Sequence, residues 1–220
     1  MPIDVAALSF LHLLVFVYWL GGDLGAFYAS SIVVDPTRSN AARATAAEVL
    51  ANVDMAPRTA LILAAPTGLT LAAAREFLAL DWTALAAIWA AAIAWLALAW
   101  RLHLSHAPPN APLRRLDLAI RWLVIAALVA GALVGADLVI HLRAKLILLA
   151  AAIALGLLIR VLLGPFGPAF AGIMKDGSSP EREAALATSL GRARVAVTTL
   201  WLVIGAAAFL GVSGGAGWIA

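Results

Sequence analysis

The chain has 220 residues, of which 64% are hydrophobic and 12% charged, and its mean hydropathy is +1.00. Soluble domains are roughly half apolar and a quarter charged, so this composition excludes water as the main solvent. The chain has no cysteine, which excludes disulfides, thiolate metal sites, iron–sulfur clusters and covalently attached c-type haem. The basic residues form no run or stripe, which argues against nucleic acid as a partner.

Length and apolar runs together predict an all-α fold, a polytopic membrane helix bundle. At about 20 residues per crossing, the chain holds roughly six transmembrane helices in a single integral membrane domain, residues 1–220. The first apolar stretch lacks a basic n-region and is longer than the h-region of a cleaved signal peptide, so we expect it to be retained. The candidate spans are 5–34, 58–78, 83–101, 118–140, 144–163 and 194–213.

Helix breakers and small polar residues mark where these spans end and begin. Asp35-Pro36 ends the first span, because the residue before a proline is disfavoured in a helix, and the segment 164–168, rich in glycine and proline, ends the fifth. Polar helices are expected before spans two and six, the latter continuous with its span. The predicted N-caps are Ser39 or Asn40, Asp81 and Ser179.

The distribution of basic residues predicts the orientation, since cytoplasmic loops keep the excess of Lys and Arg. The even-numbered connections carry only 3 of them, Arg75, Arg143 and Lys145. This split predicts that both termini are periplasmic, in a multi-pass protein of the bacterial inner membrane. The odd-numbered connections carry the other 12: Arg38, Arg43, Arg58, Arg101, Arg114, Arg115, Arg121, Arg160, Lys175, Arg182, Arg192 and Arg194.

The histidines provide two separate candidate sites for a metal. His12 and His141 are predicted at the outer side, whereas His103 and His106 lie at the inner end of the third span. A b-type haem held by two histidines needs imidazoles at similar depth on facing helices, a requirement that His12 and His141 could meet. The alternative is that His12 is a polar interfacial residue and His141 a loop residue.

Two cations next to His141 depart from the positive-inside pattern. If the fourth span continues through Arg143 and Lys145, then Asp137, His141 and Lys145 repeat at i, i+4 and i+8 on one face. Asp137 could then orient the imidazole, and the cations could bind an anionic group such as a haem propionate. An ordinary salt-bridged turn at the surface is the alternative.

Asp23 is a carboxylate inside the first span. It follows Gly21-Gly22 and lies about 18 Å from the inner end by helical rise, near the middle of the bilayer. Carboxylates at this depth are costly and usually mark a proton path, an ion site or a functional pairing. The glycines would let another helix or a flat cofactor approach, and a structural pairing with a hydroxyl is the alternative for Asp23.

Two short motifs resemble those of known membrane families. The first span contains Leu11-His12-Leu13-Leu14 followed by Trp19-Leu20-Gly21-Gly22, and a later segment reads His141-Leu142-Arg143-Ala144-Lys145-Leu146. The first motif resembles the LH…W-x-G-G opening of the copper-resistance D-like proteins and the HemJ-like protoporphyrinogen oxidases. The second resembles the W-L-x-x-K-L helix start of the HemJ-like group. This chain differs from that group at Gly156, where the group has a histidine, and in having more than four predicted spans.

The resemblance implies a haem-b-associated redox protein with His12, Trp19 and Lys145 at its site. The leading hypothesis is a membrane oxidoreductase that passes electrons between a quinone or porphyrin-type donor and an acceptor. His12 and His141 would be iron ligands, Arg143 and Lys145 propionate partners, and Asp23 and Lys145 catalytic groups. The alternatives are a transporter or channel for a metal ion or small solute, and a non-catalytic membrane anchor subunit. The expected partners are the lipid bilayer and either a second copy of the chain or a redox subunit.

Overall fold

The computed structural model describes residues 5–105, 112–135 and 138–215. These ranges contain eight helices and no strand. In chain order the helices are α1 (Val5–Val33), α2 (Asn40–Val53), α3 (Met55–Ala74), α4 (Trp82–Leu104), α5 (Pro112–Val134), α6 (Ile140–Leu162), α7 (Phe166–Asp176) and α8 (Pro180–Gly215).

Five helical segments in these ranges are long and apolar enough to cross a membrane. Most of their residues remain accessible, as expected for helices whose outer faces contact lipid. The prediction of an all-helical, multi-pass membrane protein is therefore confirmed at this level. The segments are Val5–Val33, Trp82–Leu104, Pro112–Val134, Ile140–Asp176 and Pro180–Gly214.

Helix α3, which corresponds to the predicted second span, is not among these five segments. Its 20 residues include two prolines, an arginine and three threonines, which lower its hydropathy. Two of the threonines are buried against other helices: Thr67 is near His12, and Thr70 accepts a hydrogen bond from the Trp89 indole at 3.0 Å. Thr67 and Thr70 thus have polar partners on other helices inside the protein instead of meeting lipid.

The predicted boundaries of the fourth and fifth spans are shifted in the structure. Helix α5 ends at Val134 and α6 begins at Ile140, so the interpretation that the fourth span continues through His141 and Lys145 is wrong. Gly135, which follows α5, is not helical; glycine loses more conformational entropy in a helix than other residues do and so favours a helix end. His141 and Lys145 still share a face, but on α6; Asp137 lies outside the described residues.

Helix α7 was not predicted, because its segment begins with residues that usually break helices. The structure starts α7 at Phe166, which places Gly167 and Pro168 in its first turn. The first-turn N–H groups have no intrahelical partner, so a proline there removes no hydrogen bond. The breaker-rich segment ends α6 as predicted and then begins another helix.

The predicted N-caps are confirmed. The Ser39 side chain accepts a hydrogen bond from the Ala42 N–H at 3.2 Å, and Asp81 accepts one from Ala84 at 2.7 Å. Ser179 accepts a longer one, at 3.4 Å, at the start of α8. Helix α8 then runs for 36 residues without interruption, so the polar segment and the last predicted span form one helix.

The chain divides into two compact units, each of which combines separate stretches of sequence. The first unit comprises the described parts of residues 1–19, 58–153 and 203–220. The second comprises residues 20–57 and 154–202. Helices α1, α3, α6 and α8 each contribute to both units, α3 with only its first three residues in the second.

In the first unit, a buried ion pair joins residues one turn apart on α5. The Arg121 Nε donates to the Asp117 carboxylate at 3.1 Å, and both side chains are almost fully buried. The Trp95 indole of α4 donates to the other Asp117 oxygen at 2.9 Å, while its ring lies beneath the Arg121 guanidinium. These contacts neutralise both charges where α4 packs against α5.

The second unit contains a more extended ion pair. Arg43 of α2 makes two hydrogen bonds to the Glu183 carboxylate of α8, at 2.8 and 2.9 Å. Its Nε also donates to the Val33 carbonyl at the end of α1, at 2.8 Å. Arg43 therefore links the ends of α1, α2 and α8. Elsewhere in the second unit, Pro57 packs so closely on Gly22 that a Cβ on this glycine would lie 2.5 Å from the proline Cδ.

We expect Arg43→Gln to destabilise the protein strongly, because it leaves the Glu183 carboxylate without its bidentate partner. Loss of such a pair costs about 3 kcal/mol, which at this size corresponds to a fall in Tm of roughly 6–12 °C. Tryptophan fluorescence, recorded while the detergent-solubilised protein is heated, measures the Tm of each variant. Arg38→Gln is the matched control, since Arg38 pairs with Asp35 at the surface. Equal Tm values for both variants would contradict the role of Arg43.

The predicted topology places the segments before and after α3 on opposite sides of the membrane. Ala41 and Ala79 are exposed residues on either side of α3, and the chain has no native cysteine to label. We expect an impermeant maleimide to label Ala79→Cys in intact spheroplasts and to label Ala41→Cys only after lysis. Labelling of both from the same side would show that α3 does not cross the membrane, and the reversed pattern would show that the orientation is inverted.

Candidate functional site

The first unit contains a cavity of about 890 Å³, within the usual range for ligand sites. Segments of α1, α3, α6 and α8 line it. The contributing residues lie near the beginnings of α1 and α6 and towards the ends of α3 and α8, so four helix ends surround the site. Its walls are mainly aliphatic. The lining residues whose side chains carry a nitrogen or oxygen atom are Ser9, His12, Trp19, Arg75 and Lys145.

The imidazole of His12 is fixed by Thr67 on α3. His12 Nδ1 lies 2.9 Å from the Thr67 hydroxyl oxygen, and that hydroxyl lies 2.6 Å from the Leu63 carbonyl. A carbonyl can only accept, so the Thr67 proton is donated to Leu63 and the hydroxyl oxygen accepts from Nδ1–H. This arrangement assigns the proton to Nδ1 and leaves the lone pair on Nε2, which makes no hydrogen bond within the described residues.

Gly68 provides the space that this imidazole occupies. A Cβ at residue 68 would lie 3.0 Å from His12 Cε1 and 3.4 Å from Nε2. The first distance is at the lower limit of what packed side chains show, so any larger residue would displace the ring. Thr67 and Gly68 together determine the position and the tautomer of His12.

Two cations share the cavity with His12. Arg75 donates to the Ser9 hydroxyl at 3.0 Å, and Ser9 donates in turn to the Val5 carbonyl. Lys145 makes no hydrogen bond or ion pair with any described residue, and its positive charge acts electrostatically on His12 and on Arg75. The cavity-lining residues include no carboxylate. An anion bound in the cavity would therefore face two positive charges that no carboxylate of the described residues neutralises.

Gly211 of α8 gives Lys145 its position. A Cβ on this glycine would lie only 2.7 Å from the Lys145 Nζ. The ammonium group therefore lies directly against the backbone of α8, at the wall of the cavity. A side chain at residue 211 would push it away from this position.

His141 is buried outside the cavity wall. Its ring packs edge-on against Phe77 with centroids 5.1 Å apart, and a Cβ on Gly214 would lie 2.6 Å from its Cγ. The cavity-lining residues do not include His141, so the structure does not place a second imidazole beside His12. His103 packs edge-on against Trp100 near the end of α4, and His106 lies outside the described residues.

The other predicted site residues are divided between different places. Trp19 is buried and lines the cavity, as expected for a site residue. The Arg143 Nε donates to the Ala132 carbonyl at 2.8 Å, close to the end of α5, and Arg143 is not part of the cavity wall. Asp23 is half-buried on α1 and belongs to the second unit.

The structure adds Arg75 and Thr67 to the residues that the sequence indicated. Arg75 is one of the three basic residues in the predicted outer connections, so the departure from the positive-inside pattern already pointed to it. Thr67 carries no comparable signal, since threonine is common in membrane helices and usually bonds to its own backbone. Only the packing of α3 against α1 shows that it reaches His12.

Comparison of the chain with models of known protein families, with curated proteins and with solved structures gives no match. Within the described residues no group of three or more His, Cys, Asp or Glu side chains could hold a metal ion by itself.

We expect Thr67→Val to release the His12 tautomer, because valine removes the acceptor of the Nδ1–H and keeps a similar shape. Solid-state NMR of histidine-labelled protein distinguishes the two imidazole nitrogens. The signal that disappears in His12→Gln should show a proton on Nδ1 in the wild type and a mixture of tautomers in Thr67→Val. Thr70→Val, one turn away, is the control and should leave the signal unchanged. A wild-type His12 that carries its proton on Nε2 would contradict the assignment.

Proposed function

We propose that the protein is a membrane oxidoreductase that binds b-type haem in the cavity of the first unit, where His12 would hold the iron. The observation that carries the proposal is the free lone pair of His12 Nε2 in an apolar cavity that also contains two cations. Histidine is the commonest protein ligand of haem iron, and its other nitrogen is usually held by a hydrogen bond, as Thr67 does here.

The residues of the cavity fit this cofactor in three respects. Aliphatic walls suit the porphyrin face, a single imidazole suits the iron, and Arg75 and Lys145 suit its two propionates. Burying these cations in a membrane protein without a counter-ion is costly, and a dicarboxylate ligand would offset that cost. The proposal includes no second histidine ligand, because His141 packs against Phe77 and does not line the cavity.

The haem, when bound, would supply one-electron chemistry. The protein would position its own groups around the cofactor. Thr67 holds the imidazole, and Gly68 and Gly211 leave room for His12 and Lys145. The aliphatic side chains exclude water. A low local polarity and nearby positive charge both act on the potential of a redox centre. The donor proposed from the sequence, a quinone or porphyrin-type molecule, is compatible with a site inside the bilayer.

The proposed arrangement in the cell has six crossings, including α3, with both termini in the periplasm. Helix α3 is about 30 Å long by helical rise, which matches the hydrocarbon thickness. Its residues Thr67 and Arg75 contact His12 and Ser9 of α1 in the reverse chain direction. The two helices are therefore antiparallel here, and α3 has the length and the partners of a spanning helix. The cavity would then lie in the outer half of the inner membrane.

We expect His12→Ala to abolish the haem spectrum of protein expressed with haem supplied, because a methyl group cannot replace an iron ligand. His141→Ala and His103→Ala are the controls, and both should retain the wild-type Soret and reduced α and β bands. Heating monitored by tryptophan fluorescence verifies that each variant is folded. A folded His12→Ala protein with an unaltered haem spectrum, or a wild-type protein that never binds haem, would exclude this function.

A further inference from the structure

Four apolar side chains that line the cavity are also exposed at the protein surface. They come in two pairs, and each pair is spaced by three residues, so that each lies on one helix face. In a membrane protein, exposed apolar side chains of spanning helices contact lipid. The side chains, with their exposed fractions, are Phe10 (62%) and Leu13 (50%) of α1, and Phe209 (66%) and Val212 (71%) of α8.

Each of these side chains belongs both to the cavity wall and to the exposed surface, so no other side chain separates the cavity from the surface at these positions. We propose that the cavity opens sideways into the bilayer through a slot between α1 and α8, bordered by Phe10, Leu13, Phe209 and Val212. Through this slot the protein takes up from the lipid an amphipathic carboxylate, whose apolar body lies among the aliphatic side chains. The inference deepens the proposed function, on which it rests for the role of the cavity.

The positions of the two cations determine the orientation of the ligand in the cavity. Arg75 directly follows the last residue of α3, and Lys145 lies about 8 Å along α6 from its first residue by helical rise. Both are therefore close to the membrane surface, at the depth where the carboxylate of a lipid-dissolved amphiphile would lie. The ligand can thus pass through the slot with its charged group towards the interface and never carry that group across hydrocarbon.

This geometry favours a ligand from the lipid over one from water. The slot residues are hydrophobic, and the exposed fraction of each is at least one half. A water-soluble anion would have to lose its hydration to cross this apolar border, whereas a lipid-dissolved amphiphile passes it with its apolar body already in hydrocarbon. The chemical class is a carboxylate with a large apolar body, which includes both haem and free fatty acids.

The first test uses spin-labelled stearate and the full-length protein in nanodiscs. We expect an immobilised component in the electron paramagnetic resonance spectrum of the wild type. The methyl ester should lose this component, because loss of a charge-assisted hydrogen bond of about 1.5–3 kcal/mol weakens binding roughly tenfold or more. Equal immobilisation of acid and ester would overturn the proposal, and this arm requires no protein variant.

The second test fills the slot. Leu13→Trp combined with Val212→Trp should remove the immobilised stearate component and slow the appearance of the Soret band when haemin-loaded vesicles are added. The control combines Val17→Trp with Leu202→Trp, two exposed apolar residues of the same helices that do not line the cavity. The control should behave like the wild type.

The two probes separate the failure of this inference from the failure of the proposed function. If the wild type immobilises stearate, the filled-slot variant does not, and the wild type never shows a Soret band, the lateral opening is supported and haem binding is contradicted. If the wild type binds haem, and the filled-slot variant takes up haemin as fast as the control and immobilises stearate equally, the lateral opening is contradicted and haem binding is supported.

Discussion

A hydrocarbon environment offers no hydrogen-bonding partner to a polar side chain, and this constraint explains where the buried charges of the protein lie. Arg43 is neutralised by Glu183 and the Val33 carbonyl, and Arg121 by Asp117. Lys145 stands apart, because it makes no such bond within the described residues and faces a cavity instead. Two buried arginines are thus paired with carboxylates, whereas a cation that faces a cavity without such a partner is a candidate contact for an anionic ligand.

Much of the fold could be predicted from the sequence, because apolar runs and capping residues are local signals. Asp35-Pro36 ended the first span and Ser39 and Asp81 capped the helices, as the structure confirms. Helix α3 corresponds to the predicted second span, whereas α7 was not predicted. Helix α3 carries polar residues whose partners are on other helices, so its hydropathy alone understates its place in the bundle. Helix α7 begins in a glycine- and proline-rich segment that resembles a loop.

The candidate site was predictable only in part, since a helical pattern gives a residue's depth but not which neighbour its side chain meets. His12, Trp19 and Lys145 line the cavity. Arg143 is only two residues from Lys145, yet the helical rotation turns it towards the Ala132 carbonyl. His141 is at a suitable position in the sequence but packs against Phe77. The packing between helices makes these distinctions.

The hydrogen bond between His12 and Thr67 also couples the site to acidity. Because Nδ1 already carries its proton, and the Thr67 hydroxyl is itself engaged with Leu63, a second proton can add only at Nε2. That is the same atom whose lone pair would bind a metal. A proton and a metal ion thus compete for one electron pair, so occupancy of the site is thermodynamically linked to proton concentration. At any pH at which the imidazole is protonated in the metal-free protein, binding of one metal ion at Nε2 would release one proton.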